Sequence, residues 1–217
     1  MMDLVCWGDR TYQFDCSSTA LIVVDMQRDF LDDGGYIAWK NATANNLTAI
    51  VPNVQKVLKI SRQAGLFIVH TREGYATDFS DVNPAKKAMG YVGKPGPNGS
   101  FLIRGTLGHD FMDGFLPEAS ETVIDKAGFS AFYNTGLDEI LHKKGITHLV
   151  FTGITTQCCV QSTLRDAVER GYFCLTLEDC CAAEDPALHE ASLKIIQGEN
   201  HLFGWISSAA LFVKVLR

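Results

Sequence analysis

The stretch Thr147–Ala167, THLVFTGITTQCCVQSTLRDA, decides how the rest of the chain is read. HLVFTGI is a continuous apolar run of strand length, and TTQCC is a sharp polar turn holding two adjacent cysteines. The residues after it, VQSTLRDAVER (Val160–Arg170), have helical spacing. A thiol at a strand-to-helix junction faces the backbone N–H groups that open the helix. Those groups favour an anion, so they are expected to lower the thiol pKa and supply the thiolate. They can also hold the oxyanion of a carbonyl under attack. The stretch reads as the nucleophile turn of an α/β enzyme.

Working outward, short apolar runs recur at Ala20–Asp25 (ALIVVD), Leu66–Thr71 (LFIVHT), Glu121–Lys126 (ETVIDK) and Phe173–Glu178, as buried parallel strands require. Helical spacing covers Thr48–Ala64 (Ile50, Val54, Val57, Leu58), with Gly65 as the stop, and recurs at Asn134–Lys144. Asp185 reads as the cap of a helix over Pro186–Gln197, and Ser207 or Ser208 as the cap of a last one ending at Leu216. Alternating strands and helices predict an α/β fold, a doubly wound, Rossmann-like parallel sheet with helices on both faces. The 217 residues approach the upper size of one domain and contain no linker-like stretch, so residues 1–217 read as a single domain. Residues 1–19 read as a polar, irregular arm. Residues 72–120, rich in Gly, Pro and charge, read as a lid or substrate-binding region.

Composition removes several classes. Apolar residues make up 47% of the chain, ample for a core, and the net charge of −6 argues against nucleic-acid or acidic-membrane partners. No apolar run reaches the roughly 18 residues of a membrane span. The opening MMDLVCWGDR lacks the basic and apolar regions of a secretory signal. Seven cysteines at irregular positions, with no Cys-x-x-Cys pair, support neither a disulfide framework nor a zinc ribbon. Neighbours such as Cys158–Cys159 and Cys180–Cys181 rarely bridge. A reduced, cytoplasmic location is the simplest expectation. His109, His142, His148, His189 and His201 show no metal-ligand spacing and read as surface or structural residues.

In open α/β sheets the site lies outside the carboxyl ends of the strands. Three reactive side chains fall there: Asp25, Lys126 and the cysteine turn. Alone, Asp25 reads as a turn former and Lys126 as a solvated strand end. Beside a thiol, the aspartate becomes a base for its proton, and the lysine a charge that favours thiolate and carboxylate together.

ALIVVDMQRDF, VIDKAGFSAFYNT and the cysteine turn resemble the isochorismatase-like cysteine hydrolases, and the resemblance covers nearly the whole chain in the right motif order. It implies an Asp25–Lys126–Cys159 triad, because the nucleophile of that family directly precedes a valine, here Val160. Cys158 is then packing. The resemblance also implies a non-proline cis peptide at Ile154–Thr155, with the N–H groups of Thr155 and Cys159 as oxyanion hole. It implies homo-oligomers, tetramers or dimers. Nicotinamidases share the triad but bind a metal through an Asp-x-His motif that is missing here, so neither metal nor cofactor is expected.

Within that group, HTREGYATDFSDVNPAKK (His70–Lys87) is similar to biuret and triuret hydrolases, while THLVFTGI, STLRD and LFGW (Leu202–Trp205) are similar to ureidoacrylate amidohydrolases. The first expectation is therefore hydrolysis of a biuret- or triuret-like ureide through a thioester, with release of ammonia. The alternatives are a ureidoacrylate or N-carbamoyl amino acid amidohydrolase, a nicotinamidase-like amidase, or a non-catalytic binding protein on this fold. Candidate substrate contacts are Gln27 on the first loop, Arg72 and Glu73 past the second strand, Phe30 and Phe129 (with Phe132) as walls, and Glu199 with Asn200. Each has a plainer reading as loop amide, surface ion pair, core aromatic or surface polar residue.

Overall fold

Because Ala20, Ile22 and Val24 face one way and Leu21 and Val23 the other, all five fully buried, β1 (Thr19–Val24) is a central strand covered on both faces. The computed structural model, which describes residues 1–40 and 44–217, places five more strands around it. These are β2 (Phe67–Glu73), β3 (Thr122–Lys126), β4 (His148–Ile154), β5 (Phe173–Ala182) and β6 (Trp205–Ser207). Their order is β6-β5-β4-β1-β2-β3, and every neighbouring pair is parallel.

Helices α1 (Val51–Gln63), α2 (Pro84–Met89), α3 (Leu137–Lys143), α4 (Gln161–Glu169), α5 (Pro186–His201) and α6 (Ala209–Val215) divide between the layers. Val54, Val57 and Leu58 of α1 join Phe212 and Val213 of α6 against Leu21 and Val23. Leu141, Leu164, Ala167 and Ile196, from α3, α4 and α5, pack against Ala20, Ile22 and Val24. This is the expected doubly wound sheet. Asp185 and Ser208 cap α5 and α6 through their side chains. Regular helical geometry in α5 ends at Gly198, Glu199 and Asn200, the latter two at positive φ.

The chain builds β1, β2 and β3 outward in one direction, then crosses back to lay β4 on the other side of β1. That reversal opens a crevice at the carboxyl ends of β1 and β4, where ligands of such sheets bind. The two strands approach closely there: a Cβ on Gly153 (φ +107) would lie 2.0 Å from the Val24 carbonyl oxygen, so only glycine fits.

Two segments differ from the sequence reading. Residues 1–19 are no irregular arm: Met2–Cys6 and Arg10–Phe14 pair as an antiparallel hairpin. Its alternate residues Leu4, Tyr12 and Phe14 are fully buried, Phe14 stacking on Phe212 of α6. Residues 72–120 contain α2, capped by the Asn83 side chain, and a two-rung hairpin at Pro95–Gly96 and Gly99–Ser100. Phe101, Leu102, Ile103 and Phe115 tie this region into the core, and the buried Asp29 carboxylate accepts the Leu102 N–H at 2.9 Å.

If the hairpin is a structural element, Phe14→Ala will lower the unfolding free energy by about 3–5 kcal/mol, as for other buried aromatics. A urea midpoint unchanged from the parent protein would return residues 1–19 to the status of an arm.

Candidate active site

Glu73 and Lys126 face each other on the last rung of the β2–β3 ladder, so their side chains leave the sheet on the same face. Asp25, one residue past β1 and in the left-handed region (φ 50) that Asp tolerates, sits beside them. The Lys126 ammonium donates to Asp25 Oδ2 at 2.8 Å and to the Gly128 carbonyl at 3.0 Å, and the Thr71 hydroxyl donates to Asp25 Oδ1 at 2.6 Å. Asp25 and Lys126 are almost wholly buried. Burial alone would lower the lysine pKa, but the carboxylate of Asp25, backed by Cys159 and Glu73, outweighs it and raises it above the ordinary lysine value. A raised lysine pKa stabilises the fold below the ordinary value, so the lysine's contribution is present through the neutral range and is lost as the pH rises into strong alkali.

Past β4 the chain passes the cis peptide Ile154–Thr155 and enters a π-helical turn, Thr156–Val160, before α4. The Thr155 carbonyl accepts the N–H groups of Cys158 (3.0 Å) and Val160 (3.2 Å), which fixes the turn. Cys159 is 4% exposed, whereas Cys158 is partly exposed. The Cys159 thiol donates to Glu73 Oε2 at 3.4 Å. One ligand-type atom each from Asp25, Glu73 and Cys159 lies within 4.8 Å of the others. Hydrogen bonding with Cys158, burial and the carboxylates of Asp25 and Glu73 hold the Cys159 thiol well above its ordinary pKa, against the pull of Lys126. This direction is opposite to the lowering expected from the helix terminus, and the buried thiol lies against a carboxylate.

A divalent ion suits this donor set poorly. Asp25 carries Lys126 at 2.8 Å and Glu73 carries Lys86 at 3.4 Å, so two ammonium groups would repel the ion at contact range.

The structure distributes the other sequence candidates unevenly. Glu73 enters the site; Arg72, one residue earlier, leaves on the opposite face, where it pairs with Asp125 (2.7 and 3.0 Å) and Asp110 (3.0 Å) over the Phe111 ring. Gln27 is buried and braces Glu73: its Nε2 donates to the carbonyls of Glu73 and His109, both at 3.0 Å, and its Oε1 accepts the Glu73 N–H at 2.8 Å. Phe129 covers the Lys86 ammonium at 3.8 Å and borders a cavity of about 360 Å³ shared with Lys86, Gly128 and Met89. Phe30 packs edge-on against Phe101, and Phe132 stacks on Tyr172. Glu199 lines a surface pocket with Arg165 and Phe203, and Asn200 accepts a hydrogen bond from Arg10; neither pocket nor bond involves the buried group. Sequence reasoning missed Thr71, Tyr75 and Lys86. Lys86 had no signal at all, because NPAKK reads as a solvated helix start.

A family model described as an isochorismatase domain matches residues 19–210. The chain belongs to the isochorismatase family. Over 94% of its length it is 35% identical to ureidoacrylate amidohydrolase RutB of Methylorubrum extorquens, covering 84% of that protein. Among solved structures, it resembles a cysteine hydrolase from Pseudomonas syringae pv. phaseolicola with a TM-score of 0.83 and 26% identity, covering 98% of this chain and 96% of that one. It also resembles N-carbamoylsarcosine amidase from Thermoplasma acidophilum, with a TM-score of 0.70 and 26% identity over 88% of this chain and 96% of that one. All seven cysteines of this family member are free, and no described helix is long and apolar enough to cross a membrane.

Lys126→Met would strand the buried Asp25 carboxylate, so it should cost about 3–5 kcal/mol of stability in urea unfolding. The double variant Asp25→Asn, Lys126→Met removes both charges and should recover part of that loss. A single variant as stable as the parent would show that the ion pair is not a structural interaction.

Proposed function

We propose that this protein is a cysteine amidohydrolase that cleaves the terminal C–N bond of a small ureido acid, of the ureidoacrylate or N-carbamoyl amino acid kind. The observation that carries the reading is the buried convergence of the Cys159 thiol, the Asp25 carboxylate and the Lys126 ammonium at the switch point of the sheet. The likeness to an enzyme named for ureidoacrylate supports the ureido acid over biuret or triuret, which rest on the local similarity of residues 70–87. A binding protein has no need to bury two charges beside a thiol, where desolvation costs several kcal/mol per ion.

In this mechanism Asp25 takes the thiol proton once substrate has displaced water, and Cys159 attacks the ureido carbonyl. The backbone N–H groups of Thr155 and Cys159 hold the tetrahedral oxyanion. Ammonia leaves with the proton returned by Asp25, an S-carbamoyl (thiocarbamate) enzyme remains, and water then displaces the sulfur. Lys126 holds Asp25 in place and favours its carboxylate form before it takes the thiol proton and again after it returns it.

Two experiments test the assignment. Cys159→Ser should abolish turnover, because a carboxylate hardly deprotonates a serine hydroxyl, whereas Cys158→Ser should keep most of it; the reverse pattern would move the nucleophile by one residue. In an ammonia-release screen, ureidoacrylate or an N-carbamoyl amino acid should exceed biuret, triuret and nicotinamide in kcat/KM by about tenfold or more, a difference of ~1.4 kcal/mol. Biuret or nicotinamide turned over equally well would overturn the ureido-acid assignment.

A further inference from the structure

The thiol is flanked by two carboxylates, and both are built alike. Asp25 has a lysine and a hydroxyl bound to its oxygens: Lys126 at 2.8 Å and Thr71 at 2.6 Å. Glu73 has a lysine and a phenol on Oε1: Lys86 at 3.4 Å and Tyr75, which donates at 2.6 Å. Lys86 also donates to the Tyr75 hydroxyl and lies under the Phe129 ring, and Glu73, Tyr75 and Lys86 are all buried. The pairs differ in one respect. Both oxygens of Asp25 are occupied, whereas among the described residues Oε2 of Glu73 is bound only by the Cys159 thiol. Gln27 grips the Glu73 backbone on both its N–H and its C=O, so this carboxylate is held as firmly as the first.

We infer that Glu73 is a second catalytic carboxylate, which serves the hydrolysis of the S-acyl enzyme, with Lys86 as its positioning residue. The inference rests on the cysteine-hydrolase reading given above. Water attacks the thiocarbamate carbon, and its proton passes to Glu73 Oε2 as the new C–O bond forms. The C–S bond then breaks, and Oε2 returns that proton to Sγ. The products are a carbamic acid and the free thiol, with one water consumed and both carboxylates restored. The thiol-to-Oε2 hydrogen bond of the resting protein is the end point of that last transfer. Two carboxylates are useful because the reaction has two proton relays, one toward departing nitrogen and one from entering water. Lys86 stands on α2, from the region 72–120, and borders the cavity next to the site, so it links this region to the second relay.

The test separates the two half-reactions. In rapid-quench assays with the best ureido substrate, Glu73→Gln should release one equivalent of ammonia per site at nearly the parent rate. Steady-state turnover should then fall by about 100-fold or more, the usual range for a lost general base. Intact mass should show the S-carbamoyl adduct accumulating. Because Glu73→Gln strands the buried Lys86 ammonium, the charge-free double variant Glu73→Gln, Lys86→Met is measured beside it and should show the same accumulation. Lys86→Met alone should slow turnover and accumulate adduct, and Lys86→Arg should restore turnover. Loss of the ammonia burst in step with turnover, or turnover unchanged in the double variant, would overturn the division of labour. If the parent protein releases no ammonia from any ureide, the underlying functional reading fails instead.

Discussion

The Asp25–Lys126 ion pair is the interaction on which the rest of the site depends. Both partners are almost wholly buried, and they lie 101 positions apart in the sequence. Taking such charges out of water is unfavourable unless geometry and further hydrogen bonds compensate. Here Thr71 and the Gly128 carbonyl supply those bonds, and each comes from a strand end or the turn just past one. Satisfying the pair therefore fixes the carboxyl ends of β1, β2 and β3 against one another. The π-helical turn after β4 then places the Cys159 thiol against the group.

A second pair, Glu73–Lys86, makes the site nearly neutral around that thiol. The hydrogen bond with Cys158, burial and two carboxylates oppose ionisation of Cys159, and one buried ammonium beside it does not reverse the balance. The Cys159 thiol accordingly donates to Glu73, and burial with a raised pKa makes such a cysteine less reactive than an exposed thiolate.

Much of this was legible in the sequence because it obeys simple periodicities. ALIVVD and HLVFTGI are apolar on both faces and could only be central strands; Asp25 and Lys126 close strands at the edge where such sheets bind ligands. The same period of two, applied one residue further, separates Glu73 from Arg72, and it also runs through Leu4, Cys6, Tyr12 and Phe14 of the hairpin that was read as an arm. Other features depend on long-range docking that local pattern cannot carry. Lys86 is buried only because α2 folds back over Glu73. Glu199 and Asn200 end on the surface because the helix breaks at Gly198. The raised pKa of the thiol follows from the hydrogen bond with Cys158, burial and charges contributed by three separate segments.

Burial and the groups around Cys159 hold its pKa up, so the thiol is expected to rest protonated between two carboxylates that each carry an ammonium. Ultraviolet thiolate absorbance of the parent protein, taken as a difference against Cys159→Ser across pH, tests it most directly. No Cys159 thiolate is expected at neutral pH, and its signal should emerge only above the ordinary cysteine range. A full thiolate signal from Cys159 at pH 7 would contradict it, and with it the assignment of the thiol proton to Glu73.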